Sequence, residues 1–128
     1  MAGLARRGAA PGGAIALTVI GRRSGEPRTL PVTSPPLGGR VHLVAPYGVV
    51  GWVEDLRAAG EATVERGGAP TRVRAIELPA AEAALVLREY VRRIPIVRPH
   101  VVAGPSDALD AFAAIAAQHP VFAMERIG

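Results

Sequence analysis

Eight consecutive residues, GRRSGEPR from Gly21 to Arg28, gather three arginines and a serine hydroxyl around two glycines. Arginine keeps its charge at any working pH and meets a carboxylate or phosphate with two parallel hydrogen bonds. Glycine admits unusual backbone angles and close approach by a ligand, and consecutive amides in such a loop can form an anion-binding concavity. The chemistry these types suggest is the grip of an anion by Arg22, Arg23, Arg28, Ser24 and the Gly25 turn. A plain solvated connection is the alternative; the coincidence of glycines, charge and hydroxyl favours the anion site.

Other candidates are few. Tyr47, in VAPYG (Val44 to Gly48), offers a phenol that can hydrogen-bond or donate a proton, or else covers a rim. Trp52, the only tryptophan, suits a core or pocket wall. His42, His100 and His119 lie far apart, without the local pairs that zinc sites use, so no metal is expected, and His42 reads as a packed strand residue. Ser24, Ser34 and Ser106 lack a nucleophile elbow. No G-x-G-x-x-G or P-loop motif is present.

Composition narrows the field further. The chain has 128 residues, no cysteine, and a formal charge of +4. One domain with a genuine core fits that length. Lack of cysteine removes disulfides and thiolate chemistry, in keeping with a reducing cytoplasm. Every basic residue is arginine, so no lysine Schiff base can form. The basic balance points to an anionic partner. Aromatics make up 4% of the chain, too few for the stacking platforms of single-stranded nucleic-acid binding. No apolar run is long enough to span a bilayer.

The elements that would position these residues read as strands, then helices, then a last strand. Residues 1–13 read as a flexible tail, and 14–128 as one domain. IALTVI has the apolar, β-branched character of a buried strand. RTLPVT is a second strand, placed at an edge or bulge by Pro31. Gly38-Gly39 predicts a hairpin from it into RVHLVA. Trp52, Leu56 and Ala59 share a face of a short helix that Gly60 would cap. EATVERGGAPTRVRAIEL predicts a hairpin with Arg72 and Arg74 on a wet face and a bulge or full burial at Ile76. Ala84, Leu87, Val91 and Ile94 stripe a helix over Ala80–Ile94 that Pro95 ends. Pro105-Ser106 should open another, with Ser106 as cap and Leu109, Phe112, Ala113 and Ala116 buried. VFAMERI closes the chain as a strand. The order predicts an α+β fold whose antiparallel sheet curls into a barrel, with two or three flanking helices.

LTVIGRRSGEPRTLPV, followed by GRVHLVAPYGVVGWVEDLRAAGEATV, resembles the deazaflavin (F420)-dependent nitroreductase family. The likeness covers Ile15 to Leu78 in motif detail and the rest in order of elements. It implies an antiparallel split β-barrel of the FMN-binding type and an F420H2-dependent oxidoreductase. Arg22, Arg23 and Arg28, with Ser24 and Gly25, match the positions that grip the coenzyme's polyanionic arm. Val44, Ala45, Pro46, Tyr47 and Gly48 match the segment along the deazaflavin ring, and Trp52 matches the tryptophan opening the short helix. Tyr47 is the candidate proton donor, since a family serine is Pro46 here. The family's helix asparagine is Asp55. FMN is the alternative cofactor. The implied partners are a small-molecule acceptor (quinone, nitroarene or activated alkene) and a second copy of the chain; nucleic acid is not expected. A non-catalytic flavin, haem or lipid carrier on the same barrel and a basic nucleic-acid-binding module are the rival readings.

Overall fold

A computed structural model describes residues 14–34 and 41–127; the expected tail at 1–13 and the Gly38-Gly39 turn lie outside them. Six strands form one antiparallel sheet: β1 (Ala14–Ile20), β2 (Pro27–Thr33), β3 (His42–Val44), β4 (Glu61–Glu65), β5 (Thr71–Glu77) and β6 (Val121–Arg126). Among the described residues three helices accompany them: α1 (Gly51–Ala59), α2 (Ala80–Arg93) and α3 (Leu109–Ile115), with 3-10 segments at Pro95–His100 and Ala116–Gln118. The spatial order is β2-β1-β4-β5-β6-β3. The end strands β2 and β3 share no register, yet their Cα atoms come within 8 Å. The sheet is therefore a curled, incompletely closed barrel, the split-barrel fold the sequence suggested.

That order overturns the expected β2–β3 hairpin. β3 pairs instead with β6, His42 opposite Ala123 and Val44 opposite Val121. Pro31 sits in β2, which pairs on one side only, opposite Ala16 of β1. Its missing N–H costs nothing there, because an edge strand has one unpaired side.

Strand period explains which side chains face inward. Ile15, Leu17 and Val19 of β1 are buried in the barrel, whereas Ile20 is exposed, so the run is not fully buried as its composition suggested. On β5, Val73 is buried while Arg72 and Arg74 face water. Ile76 is neither bulged nor buried; it continues the register opposite Ala123 and is exposed.

The two faces of the sheet's β3–β6 corner serve two cores. Leu43, Phe122 and Met124 join the barrel interior with Val53 and Leu56 of α1. Val44 and Val121 turn the other way, onto Leu87, Val91 and Phe112 of α2 and α3. Burying side chains of this size contributes about 1.5–3 kcal/mol each. α1 ends on Gly60 with φ +73°, whose N–H donates to the Leu56 carbonyl, as foreseen. Of the predicted stripe Leu56 is buried, Trp52 half-buried and Ala59 exposed, while Val53 and Asp55 are buried as well. α3 starts later than expected. Ala108 caps it without a side-chain bond, and Asp107, not Ser106, closes the preceding loop by accepting from the Gly104 N–H at 2.8 Å.

Candidate functional site

The arginine loop is a tight bend rather than an open coil. The Gly21 N–H donates to the Glu26 carbonyl and the Gly25 N–H to the Gly21 carbonyl, both at 2.9 Å. Gly25 turns at φ +72°, a conformation that suits glycine. A Cβ on Gly21 would lie 2.7 Å from Ser24 Oγ, so a larger residue here would push that hydroxyl out of its place in the bend. Ser24 Oγ accepts from the Glu26 N–H at 3.2 Å. With the Arg22 N–H also engaged, four of the loop's amides already have acceptors. The amide concavity that the sequence suggested is corrected accordingly, and what the loop has to offer a ligand is chiefly guanidinium.

The three arginines are not equivalent. Asp55, buried on α1, accepts from the Arg22 backbone N–H at 3.1 Å and from Arg22 Nη1 at 2.7 Å. Arg22 Nη1 also lies 3.3 Å from the Gly51 carbonyl. The Arg22 amide first, then its guanidinium, hold the Asp55 carboxyl below the usual carboxylate range, and the charge of Arg28 adds to the effect. Arg22 thus ties the loop to the start of α1. Arg23 and Arg28 are exposed and, among the described residues, have no hydrogen-bond or ion-pair partner. They are the cations left for a ligand, with Glu26 as the nearest acidic neighbour in sequence.

Beside this bend lies an apolar groove of about 410 Å³. Leu30, Pro31 and Val32 of β2 form one side; Val44, Pro46, Tyr47, Val50 and Trp52 form another; Tyr90, Ile94, Ile96 and Val97 complete it. α1 joins the two features, since Gly51 touches Arg22 and the next residue, Trp52, lines the groove. Trp52 leans on Phe122, ring centroids 6.5 Å apart. The N-terminus of α1 has no side-chain cap, so its amides add partial positive charge on this side.

Of the residues singled out from sequence, Val44, Pro46, Tyr47 and Trp52 meet in the groove. Arg22, Arg23, Ser24, Gly25 and Arg28 sit on the adjoining bend. Ala45 and Gly48 do not line the groove. The Ala45 carbonyl accepts from the Gly48 N–H at 3.4 Å, and Gly48 has φ +92°; both shape the loop behind it. Tyr47 is 59% exposed, its ring edge-on to His100 at 4.7 Å. The β2 and α2 walls were missed by the sequence reading. Their only advance signal was Pro31, which marks an edge strand free to border a cleft. Among the described residues, no cluster of potential metal ligands occurs, and no helix is long and apolar enough to cross a membrane.

The sequence model of the F420H(2)-dependent quinone reductase family matches residues 5–99. The chain belongs to that family. It is accordingly an oxidoreductase that uses coenzyme F420. Among solved structures the reductase is similar to an F420-H2 dependent reductase, with 22% identity, a TM-score of 0.64, and coverage of 88% of this chain and 93% of that one. A FAD-binding protein from Mesorhizobium loti aligns over 90% of this chain and 81% of its own, at 16% identity and TM-score 0.53. HutZ, the heme storage protein from Vibrio cholerae, aligns over 92% and 84%, at 8% identity and TM-score 0.62. At these identities the likenesses establish the shared barrel. No curated protein sequence matches the chain.

Proposed function

We propose that the reductase binds the deazaflavin ring of F420 in the groove between β2 and Trp52, and passes a hydride from the reduced coenzyme to an electron-poor acceptor such as a quinone, nitroarene or activated alkene. The observation that carries this reading is an apolar groove joined, through Gly51 and Trp52, to a bend that bears two unpartnered arginines. A coenzyme with a planar apolar head and a polyanionic arm needs both, side by side. The residues fit the group.

When bound, the coenzyme supplies the hydride; the chain's task is to bind, orient and exclude water. Pro31, Pro46, Val50 and Trp52 offer stiff, apolar surface that lowers the water content around a planar guest. Arg23 and Arg28 would fix the arm through charge-assisted bonds. Arg22 acts one step back: with Asp55 and the Gly51 carbonyl it sets the distance between bend and slot. Asp55 therefore does not face the anion as a bare charge, since its partner neutralises it.

Equilibrium titration with oxidised F420, FMN and FAD, followed by turnover with F420H2 and a soluble quinone, tests the reading. Preferential binding of F420 with quinone-dependent oxidation of F420H2 supports it. Preference for FMN would overturn the cofactor assignment to the groove, and tight binding without turnover to any acceptor would return the carrier reading.

A further inference from the structure

We propose that a second cavity next to the groove receives the polar end of the electron acceptor, and that His119 Nε2 supplies the proton that accompanies the hydride. The inference rests on the coenzyme reading above. The cavity holds about 320 Å³, and Pro46, Tyr47, His100, Val102, Gln118 and His119 are among the residues that wall it. Pro46 and Tyr47 are common to both cavities, so a guest here abuts one in the groove. Its volume is at the low end for ligand cavities and suits a small ring system.

His119 is 5% exposed, and its Nδ1 lies 3.2 Å from the Ala45 carbonyl oxygen. A carbonyl can only accept, so Nδ1 carries the hydrogen, and the bond fixes the tautomer. Nε2 is then the position at which a proton comes and goes. The ring is oriented from behind by the backbone of the loop that faces the coenzyme, and the Ala45 N–H is itself held by the Pro120 carbonyl at 3.0 Å. Of the titratable groups, Tyr47 and His100 line the cavity with His119, and among the described residues no Asp, Glu or Arg does. No carboxylate is there to trap the proton. Tyr47, the donor expected from sequence, is mostly in water and stacked edge-on against His100, which makes it a wall.

The step balances. The acceptor gains a hydride taken from the reduced coenzyme, and its oxygen gains a proton as the Nε2–H bond of an imidazolium breaks and an O–H bond forms. A quinone becomes its hydroquinone, and the imidazole is left neutral with Nδ1–H still on Ala45. Water at the exposed His100 side restores the proton.

The test is His119→Asn, whose amide N–H can replace the Nδ1 bond to Ala45 but offers nothing at Nε2. Oxidised F420 should bind the variant within about twofold of wild type, while kcat/KM for a quinone falls about 100-fold or more, on the scale of general acid catalysis. Long-range 15N–1H NMR on the wild type should show the Nδ1–H tautomer for His119. Variant turnover within threefold of wild type, or an Nε2–H tautomer, overturns the proposal. If the wild type neither binds F420 nor oxidises F420H2, the underlying coenzyme reading has failed, and the proposal with it.

Discussion

Removing the arginines one at a time separates two roles that sequence alone merges. Arg23 and Arg28 are exposed and unpartnered, so truncating either to Ala leaves no buried group unsatisfied and should leave the melting temperature unchanged. Each charge-assisted bond to an anion is worth about 1.5–3 kcal/mol when shielded. In an exposed site, screening and ordering of a long side chain bring that nearer about 1 kcal/mol. Arg23→Ala or Arg28→Ala should therefore weaken F420 binding about fivefold, and the double variant about 30-fold, at 1.4 kcal/mol per decade. The losses should shrink as salt rises from 0.1 M to 1 M, where the Debye length falls from about 10 Å to about 3 Å. Arg22→Ala differs in kind. It removes the 2.7 Å bond to Asp55 and the 3.3 Å bond to the Gly51 carbonyl, leaving a buried carboxylate with the Arg22 amide alone. Its signature is a lowered melting temperature, with weaker binding as a consequence. The assay is differential scanning fluorimetry in parallel with fluorescence titration of F420. A full melting temperature for Arg22→Ala together with the largest affinity loss would make Arg22 a direct ligand and refute the division of roles.

Three further outcomes follow from the same geometry. Because Asp55 has a depressed pKa, the stability it contributes is present above the ordinary carboxylate range and is lost as pH falls through its lowered folded value; Asp55→Asn should flatten the acid limb of the melting temperature against pH. Gly21→Ala forces Ser24 Oγ away from a new Cβ and with it the bond to the Glu26 N–H, costing about 1 kcal/mol; in a Ser24→Ala background that extra cost should nearly vanish, which a double-mutant thermal cycle would read. Gly60→Ala meets open space but must adopt φ +73°, a backbone strain of about 1–2 kcal/mol that chemical denaturation should report without altered F420 affinity.

What the sequence made legible was local. The β4–β5 hairpin forms across a few residues with Gly67 at φ +62°, and the Gly60 cap closes on Leu56 four residues earlier; each carries its own signal. β3 carries none for its partner, because β6 begins at Val121 and the three buried residues His42–Val44 suit any neighbour. The two-glycine turn pointed to the nearer strand, and the sheet chose the farther one. In the candidate site, charge and glycine pointed to the segment that forms the bend, whereas the different contacts of its arginines depend on Asp55, thirty-three residues away. Asp55 read as a departure from the family pattern because its partner was out of view. His119 was passed over for the same reason: its meaning lies in a carbonyl seventy-four residues distant. Resemblance singled out Pro46 and Tyr47, which line the groove, while the β2 and α2 walls emerged only on folding.

Trp52 makes the central claim directly measurable, since it is the only tryptophan and it lines the groove. Titration of the full chain with oxidised F420, followed by Trp52 emission, should give saturable quenching at one coenzyme per chain. The midpoint should move to higher concentration with added salt and on replacing Arg23 and Arg28 by Ala. Emission that stays constant while F420 binds would put the coenzyme elsewhere on the molecule and contradict the account.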